Sequence, residues 1–315
     1  MNAPSWSLVT VALRGVERVA VLREDGALVC PAELDRWATM VALLDDWVVA
    51  EPVLRDLDLA SALVLQADDA ELLAPLRFPR KVICAGVNYR RHMTEMGVEL
   101  PAQGWRPFFF LKPPTTTVIG PRDPIPVYDR EQTRYDWEAE LAVVIGTGGR
   151  AIGVKDALAH VAAYTIANDV TARARHKREA VPGPPFVYDW VASKAIDGSF
   201  PMGPGLTPAF LVPDPQDLQM RLWVNNELQQ DETTGDMICA VAELVAEAST
   251  VMTLEPGDVI ATGTPAGVGA AQGRYLRHGD VVRVTIEGLG TLENIVYEPP
   301  GADLGADQAK TGATA

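Results

Sequence analysis

The chain has 315 residues, enough for one large domain or a large one with a small companion, and 48% of them are apolar, ample for a sizeable core. The formal net charge of −15 argues against a nucleic-acid or anionic-membrane surface. No run approaches the roughly 18 consecutive apolar residues of a membrane span, and Met1–Trp6 has no basic region followed by an apolar stretch, so no export signal is expected.

Ser7–Leu13, Arg18–Leu22 and Leu28–Cys30 read as short strands, with a turn at Asp25-Gly26. From Pro31 to about Ala50, Leu34, Trp37, Met40, Leu43, Leu44 and Trp47 recur at helical spacing and predict one amphipathic helix. Residues 1–75 are thus expected to form a small N-terminal α/β domain. Ala74–Lys81, with two prolines and a cluster of bases, reads as the linker into a main domain spanning 76–298.

That domain opens on a buried-type strand, Val82–Val87. Short strands follow at Phe108–Leu111 and Thr116–Ile119. Trp137–Ile145 is largely apolar, ends in valines and an isoleucine, and stops at Gly146, so it predicts a core strand. Asp156–Tyr164 reads as helical, leading into Thr165–Val170. Met220–Val224 is a strand closing on a turn at Asn225-Asn226, whose side chains tolerate left-handed geometry. A helix is expected from Asp236 to about Met252, ended by Pro256-Gly257, with strands at Val259–Thr262, Val281–Ile286 and Thr291–Val296. Residues 299–315 are Gly, Ala and acid with almost no large apolar group, and predict a disordered tail. β signals dominate throughout.

Glu138 and Glu140 are two apart in the Trp137–Ile145 strand, so their side chains point to one face, roughly 7 Å apart along the chain. Buried, two such carboxylates need a cation; on an edge strand they need only water. Asp169 ends the apolar stretch Tyr164–Val170, where a strand delivers it to a rim, although it could equally cap a turn or pair with Arg173. Three carboxylates suit a hard divalent ion that prefers oxygen. His92 and Glu95, three apart, would be neighbours on one helical turn. A carboxylate holding one imidazole nitrogen leaves the other to take a proton from water; the plain alternative is a surface ion pair. Lys194 lies in a stretch short of charge and could bind a substrate carboxylate or developing enolate. The Thr262–Gly269 run follows a strand, and its amides with the Thr264 hydroxyl could hold an oxyanion. It lacks the GK[ST] ending of a nucleotide phosphate loop. Three widely spaced cysteines (Cys30, Cys84, Cys239) make neither a disulfide framework nor a thiolate zinc site, and a reducing cytoplasm is inferred. Four histidines without an HExxH pair argue against a histidine-rich metal site.

In order along the chain, Gly86-Val87-Asn88-Tyr89 with His92 and Glu95, Phe110-Leu111-Lys112-Pro113, Trp137-Glu138-Ala139-Glu140-Leu141, Asn168–Arg173, Ser193-Lys194, Gly203-Pro204, Pro256–Ile260, Thr262–Gly269 and Gly279-Asp280 together resemble the fumarylacetoacetate hydrolase family, from about residue 80 to 297. The resemblance implies an α+β, mostly β fold: a mixed β-sandwich roll with a variable N-terminal domain, usually a homodimer. It implies Mg²⁺, Mn²⁺ or Ca²⁺ on Glu138, Glu140 and Asp169, with His92 and Glu95 as a dyad on a short lid helix. Lys194 matches the lysine that reaches the substrate, and Arg173 and Thr264 match positions lining its pocket. Two departures stand out: His176 where the family often has Gln, and Ser193 where it often has Gly before the lysine.

The implied reaction is C–C hydrolysis of an acylpyruvate or other β-dicarbonyl 2-oxo acid, as in catabolism of aromatic compounds or sugar acids. His92 would take the proton of the attacking water, and Lys194 would share the enolate charge. The same enolate machinery without a placed water would decarboxylate or tautomerise oxaloacetate or a 2-hydroxydienedioate. A catalytically silent binding protein would have lost a ligand or the dyad, and a Rossmann dehydrogenase would need a Gly-rich turn near the start.

Overall fold

The computed structural model describes residues 6–66, 70–102, 104–128 and 133–300; the tail expected at the C-terminus lies outside them from 301 onward. The apolar run ending at Ile145 forms a fully buried strand, Ala139–Ile145. It pairs antiparallel with Val161–Asn168 on one side and Val259–Ala261 on the other. Past Val259–Ala261 lie Val82–Gly86, running parallel to it, and then Phe108–Lys112. Past Val161–Asn168 come Phe200–Pro208 and the N-terminal strands Trp6–Leu13, Val16–Arg23 and Leu28–Cys30, so both parts of the chain share one 12-stranded sheet. A separate five-stranded sheet runs in the order Glu227–Thr233, Gln219–Val224, Val281–Ile286, Gly290–Tyr297, Ile125–Pro126.

Alternation along the central strand divides the interior in two. Ala139, Leu141, Val143 and Ile145 join Met220, Leu222, Val284 and Leu292 of the smaller sheet in one core. Ala142 and Val144 belong to a second core with Leu43, Leu44 and Trp47 from the N-terminal segment. Glu140 shares the parity of Ala142, so it lies on the N-terminal side of the strand, at its start.

The predicted face of residues 31–50 is right, but its continuity is not. Leu34, Trp37, Met40, Leu43, Leu44 and Trp47 are all buried, yet the segment is a 3₁₀ turn at Ala32–Arg36 followed by helices at Met40–Asp45 and Trp47–Arg55. Thr39 accepts from the Ala42 N–H and starts a new helix there. The helix expected over Asp156–Tyr164 is a 3₁₀ turn, Val154–His160, because Val161–Tyr164 is taken up by pairing with both neighbouring strands. Likewise the later helix starts at Val241 rather than Asp236, its Glu243 carboxylate accepting from the Ala240 N–H. Asn225 and Asn226 have the expected positive φ, 52° and 67°. Phe200–Pro208, rich in Pro and Gly, has no strand signature, yet every one of its residues is buried. Gly205 shows why: a Cβ there would sit 2.3 Å from Ser7 Oγ and 2.8 Å from Leu8 O, so only glycine lets the N-terminal strand approach.

Candidate active site

The strand register brings the acids together. Ala139 faces Asn168 and Glu140 faces Ala167, which leaves Glu138 and Asp169 just beyond the paired ends, joined by an Asp169 N–H to Glu138 O bond of 2.9 Å. Two carboxamides replace ladder partners at this mouth: Asn168 Oδ1 accepts from the Glu138 N–H and Gln230 Oε1 from the Ala139 N–H, each at 2.9 Å. One carboxylate oxygen from each of Glu138, Glu140 and Asp169 lies within 4.8 Å of the others, and all three residues are buried.

Three cations hold this cluster. Lys194 Nζ donates to Glu138 Oε2 at 2.8 Å and Asp169 Oδ2 at 2.6 Å. Lys112 Nζ, on a residue only 1% exposed, donates to Asp169 Oδ1 at 2.6 Å and to Val170 O at 3.2 Å. Arg173 reaches Glu138 Oε1 at 2.6 Å and Asp136 Oδ2 at 2.8 Å. Burial opposes the charge on Glu138, but Lys194 and Arg173 outweigh it and hold this carboxyl well below its usual range. Lys194 is buried too, and Asp169 and Glu138 keep it firmly charged. Glu140 is different. It accepts the Gly263 N–H at 2.8 Å and makes no ion pair among the described residues, so burial and the charges of Asp169 and Glu138 push its carboxyl up.

Four buried carboxylates (Asp136, Glu138, Glu140, Asp169) therefore share three cations, Lys112, Arg173 and Lys194. The deficit falls on Glu140, and a buried anion without a counter-charge is costly. A divalent cation fits both the deficit and the donor set, which is all carboxylate oxygen.

His92 and Glu95 sit in a short helix, Arg90–Glu95, with His92 Nδ1 3.1 Å from Glu95 Oε2. The other Glu95 oxygen accepts the Gly267 N–H at 2.9 Å. Burial would raise the Glu95 carboxyl, but the bonds from His92 and Gly267 win and lower it. His92 is itself buried, near enough to Glu138 that a charge on the imidazole would favour the Glu138 carboxylate, so the dyad lies beside the acid cluster. Asn88 fixes the start of this segment, donating to Cys239 O and Thr262 O and accepting from the Cys239 N–H. The Thr264 hydroxyl donates to Ala139 O and accepts from Gln230 Nε2, both at 2.9 Å; it ties its loop to the glutamate strand and has no further hydrogen to give. A separate cleft of about 980 Å³ beside the N-terminal strands contains none of these residues.

The sequence profile described as fumarylacetoacetate (FAA) hydrolase C-terminal matches residues 81–297. This chain belongs to the fumarylacetoacetate hydrolase family. It is 38% identical over 273 residues to the oxaloacetate tautomerase YisK of Bacillus subtilis, covering 85% of this chain and 86% of that one. The fumarylacetoacetate hydrolase of psychrophilic Exiguobacterium antarcticum superposes with a TM-score of 0.79 at 36% identity, covering 94% of this chain and all of that one. The maleylpyruvate hydrolase of Sphingobium sp. SYK-6, solved in complex with manganese (II) ion and pyruvate, gives 0.71 at 29%, covering 93% and 99%. The resemblance drawn from the sequence motifs thus holds over the span they covered, and the mostly β fold with it.

The sequence assigned no site role to Lys112, Asp136, Asn88 or Gln230, although Asn88 and Lys112 stand in the motifs that carry the resemblance to the fumarylacetoacetate hydrolase family. Lys112 carried a signal, a single cation closing the apolar run Phe108–Leu111. Asp136 carried another, an acid beside Trp137 in the same run as the glutamates. Nothing local marks Gln230 in Glu227–Thr233. The two departures from the family pattern, His176 and Ser193, touch each other: His176 Nδ1 is 3.2 Å from Ser193 Oγ.

Proposed function

We propose that this chain is a divalent-metal-dependent enzyme that forms and reprotonates the enolate of a 2-oxo acid, interconverting the keto and enol forms of an oxaloacetate-type substrate. The observation that carries this is Glu140, an unpaired buried carboxylate completing a triad whose other two members grip a lysine. Glu138, Glu140 and Asp169 would hold Mg²⁺, Mn²⁺ or Ca²⁺, which when bound supplies Lewis-acid stabilisation of enolate charge. Two added positive charges turn the cluster's single excess negative charge into a single positive one, which favours an anionic substrate. Lys194 already points its ammonium between Glu138 and Asp169, where it can neutralise an oxygen that gains charge. His92, its Nδ1 held by Glu95, presents Nε2 for proton transfer. The name and extent of the Bacillus subtilis relative favour tautomerisation.

C–C hydrolysis of an acylpyruvate is the second reading, favoured by the His92–Glu95 dyad, which suits activation of a water, and by the likeness to maleylpyruvate hydrolase. One experiment separates them. Enol-to-keto conversion of oxaloacetate is followed by enol absorbance, and cleavage of an acylpyruvate by pyruvate release, each with Mg²⁺, with Mn²⁺ and with chelator. Fast, chelator-sensitive conversion of oxaloacetate is expected. Turnover untouched by chelation would sink the metal-enolate reading, and acylpyruvate cleavage outpacing oxaloacetate conversion would transfer the assignment to hydrolysis.

A further inference from the structure

Asp136 is wholly buried two residues before Glu138, yet it is not one of the three acids placed to share an ion. Its carboxylate accepts four hydrogen bonds. Oδ1 takes the Trp137 N–H at 2.8 Å and the Gly269 N–H at 2.7 Å, while Oδ2 takes the Ala270 N–H at 3.0 Å and Arg173 Nε at 2.8 Å. These fill its roughly four lone-pair sites and leave none for a metal. Three of the donors are main chain, two of them from Gly269 and Ala270 at the start of a short helix, Gly269–Gln272. That approach needs glycine: a Cβ on Gly269 would sit 2.7 Å from Asp136 Oδ1 and collide with Arg274 O. The backbone therefore fixes this carboxylate, and Arg173 is the one side chain it holds.

The Arg173 side chain is 25% exposed, and one ion pair alone is a weak restraint on so long a chain. Here two carboxylates take two nitrogens along one edge of the planar guanidinium. Nε goes to Asp136, and Nη2 goes to Glu138 Oε1 at 2.6 Å, which sets both the plane and the direction of the group. Nη1 has no acceptor among the described residues. The two acids differ in kind, since Glu138 belongs to the triad and Asp136 does not. Without Asp136, Nε and Nη2 could both turn to Glu138 as a bidentate pair and compete with an ion for it.

We propose that Asp136 is a positioning residue that acts through Arg173: it holds one edge of the guanidinium away from a bidentate grip on Glu138, which stays available to the divalent ion, and it leaves Nη1 aimed at an anionic group of the substrate. The substrate half rests on the 2-oxo acid reading above. The half that concerns Glu138 does not.

Calorimetric Mn²⁺ titration of the full chain reads the first half without turnover, in the wild type, Asp136→Asn, Arg173→Gln and the double variant. The carboxamide keeps one pair of donors but turns an NH₂ group toward the other, so Kd should rise about tenfold in Asp136→Asn. Arg173→Gln removes the competing cation, and adding Asp136→Asn to it should raise Kd by less than about twofold. An unchanged Kd in Asp136→Asn overturns the proposal. So do equal rises in both backgrounds, which would mean that Asp136 acts by its charge alone. The hold itself is read in the wild type from ¹H–¹⁵N spectra of the arginine side chains, with Arg173 assigned by its loss in Arg173→Gln. An Nε–H protected from exchange with water is expected; a fast-exchanging one overturns the proposal even if Asp136→Asn does not fold. With saturating Mg²⁺, Asp136→Asn should raise KM for the oxaloacetate enol about tenfold with a smaller change in kcat, and a fall in kcat at unchanged KM overturns the substrate half. If the wild type turns over no 2-oxo acid with any of the ions, the proposed function fails, and the titrations and spectra still decide what Asp136 does.

Discussion

Glu140 carries the strongest conflict between stability and function in this molecule. It is 1% exposed, pressed by two neighbouring carboxylates, and answered by one backbone N–H. Replacing it with the neutral isostere, Glu140→Gln, should stabilise the metal-free protein, because burial and the charges of Asp169 and Glu138 oppose the carboxylate, while abolishing tight binding of a divalent ion. Urea unfolding in chelator, paired with calorimetric Mn²⁺ titration, checks both halves; a variant that is less stable without metal would show that Glu140 is compensated after all. The three acids were legible in the sequence because they sit at the ends of apolar strands, where a carboxylate is conspicuous. Lys112 carried a weaker mark, because a lysine closing a strand usually reaches water; its burial depends on Asp169, 57 residues further on.

The segment from Val87 to Glu95 joins strain to function. Val87 has φ 55°, a left-handed conformation that a β-branched residue avoids. It persists because Asn88, with three hydrogen bonds, and the docked helix over-determine the turn. Val87→Asn, which tolerates this geometry, should stabilise by about 1 kcal/mol, seen as a higher urea midpoint with an unchanged slope; a lower midpoint would mean the valine side chain matters more than its backbone. At the far end, Glu95 has a folded pKa below its unfolded value. Its contribution to stability is therefore complete above the unfolded pKa of about 4.5 and fades as pH falls through the lower folded value. The stability gap between wild type and Glu95→Gln should accordingly be larger at pH 7 than at pH 3, measured by unfolding at both; equal gaps would detach Glu95 from the His92 and Gly267 bonds. Continuous apolar runs bounded by glycine or turn residues revealed the buried strands here and elsewhere, because such runs are written locally. They could not reveal Phe200–Pro208, whose place in the sheet is made by Gly205 admitting Ser7 and Leu8, nor the break at Thr39, which a continuous apolar face conceals.

At the scale of the whole molecule, the family match beginning at residue 81 and the structure suggest different units. The linker pattern pointed to a small α/β domain over residues 1–75, and Trp6–Leu13 of that segment extends the sheet of the acid-cluster strands through Phe200–Pro208. Leu8, Leu43, Leu44 and Trp47 share one core with Ala142 and Val144, on the strand that carries Glu140, and with Cys84 and Ala261 from its neighbours. Deleting residues 1–75 would uncover that whole apolar face, and each large side chain taken out of a core costs roughly 2–5 kcal/mol. It would also turn Phe200–Pro208 into a sheet edge with unpaired backbone groups, an invitation to aggregate. The sum exceeds the 5–15 kcal/mol that holds an ordinary domain together. A chain starting at residue 76 is therefore expected to be insoluble or to lack a cooperative unfolding transition, even though every site residue remains. Circular dichroism melting and size-exclusion chromatography of that truncation decide the matter: a soluble, cooperatively melting, metal-binding fragment would show that the N-terminal segment is an accessory and that the acid cluster needs no support from it.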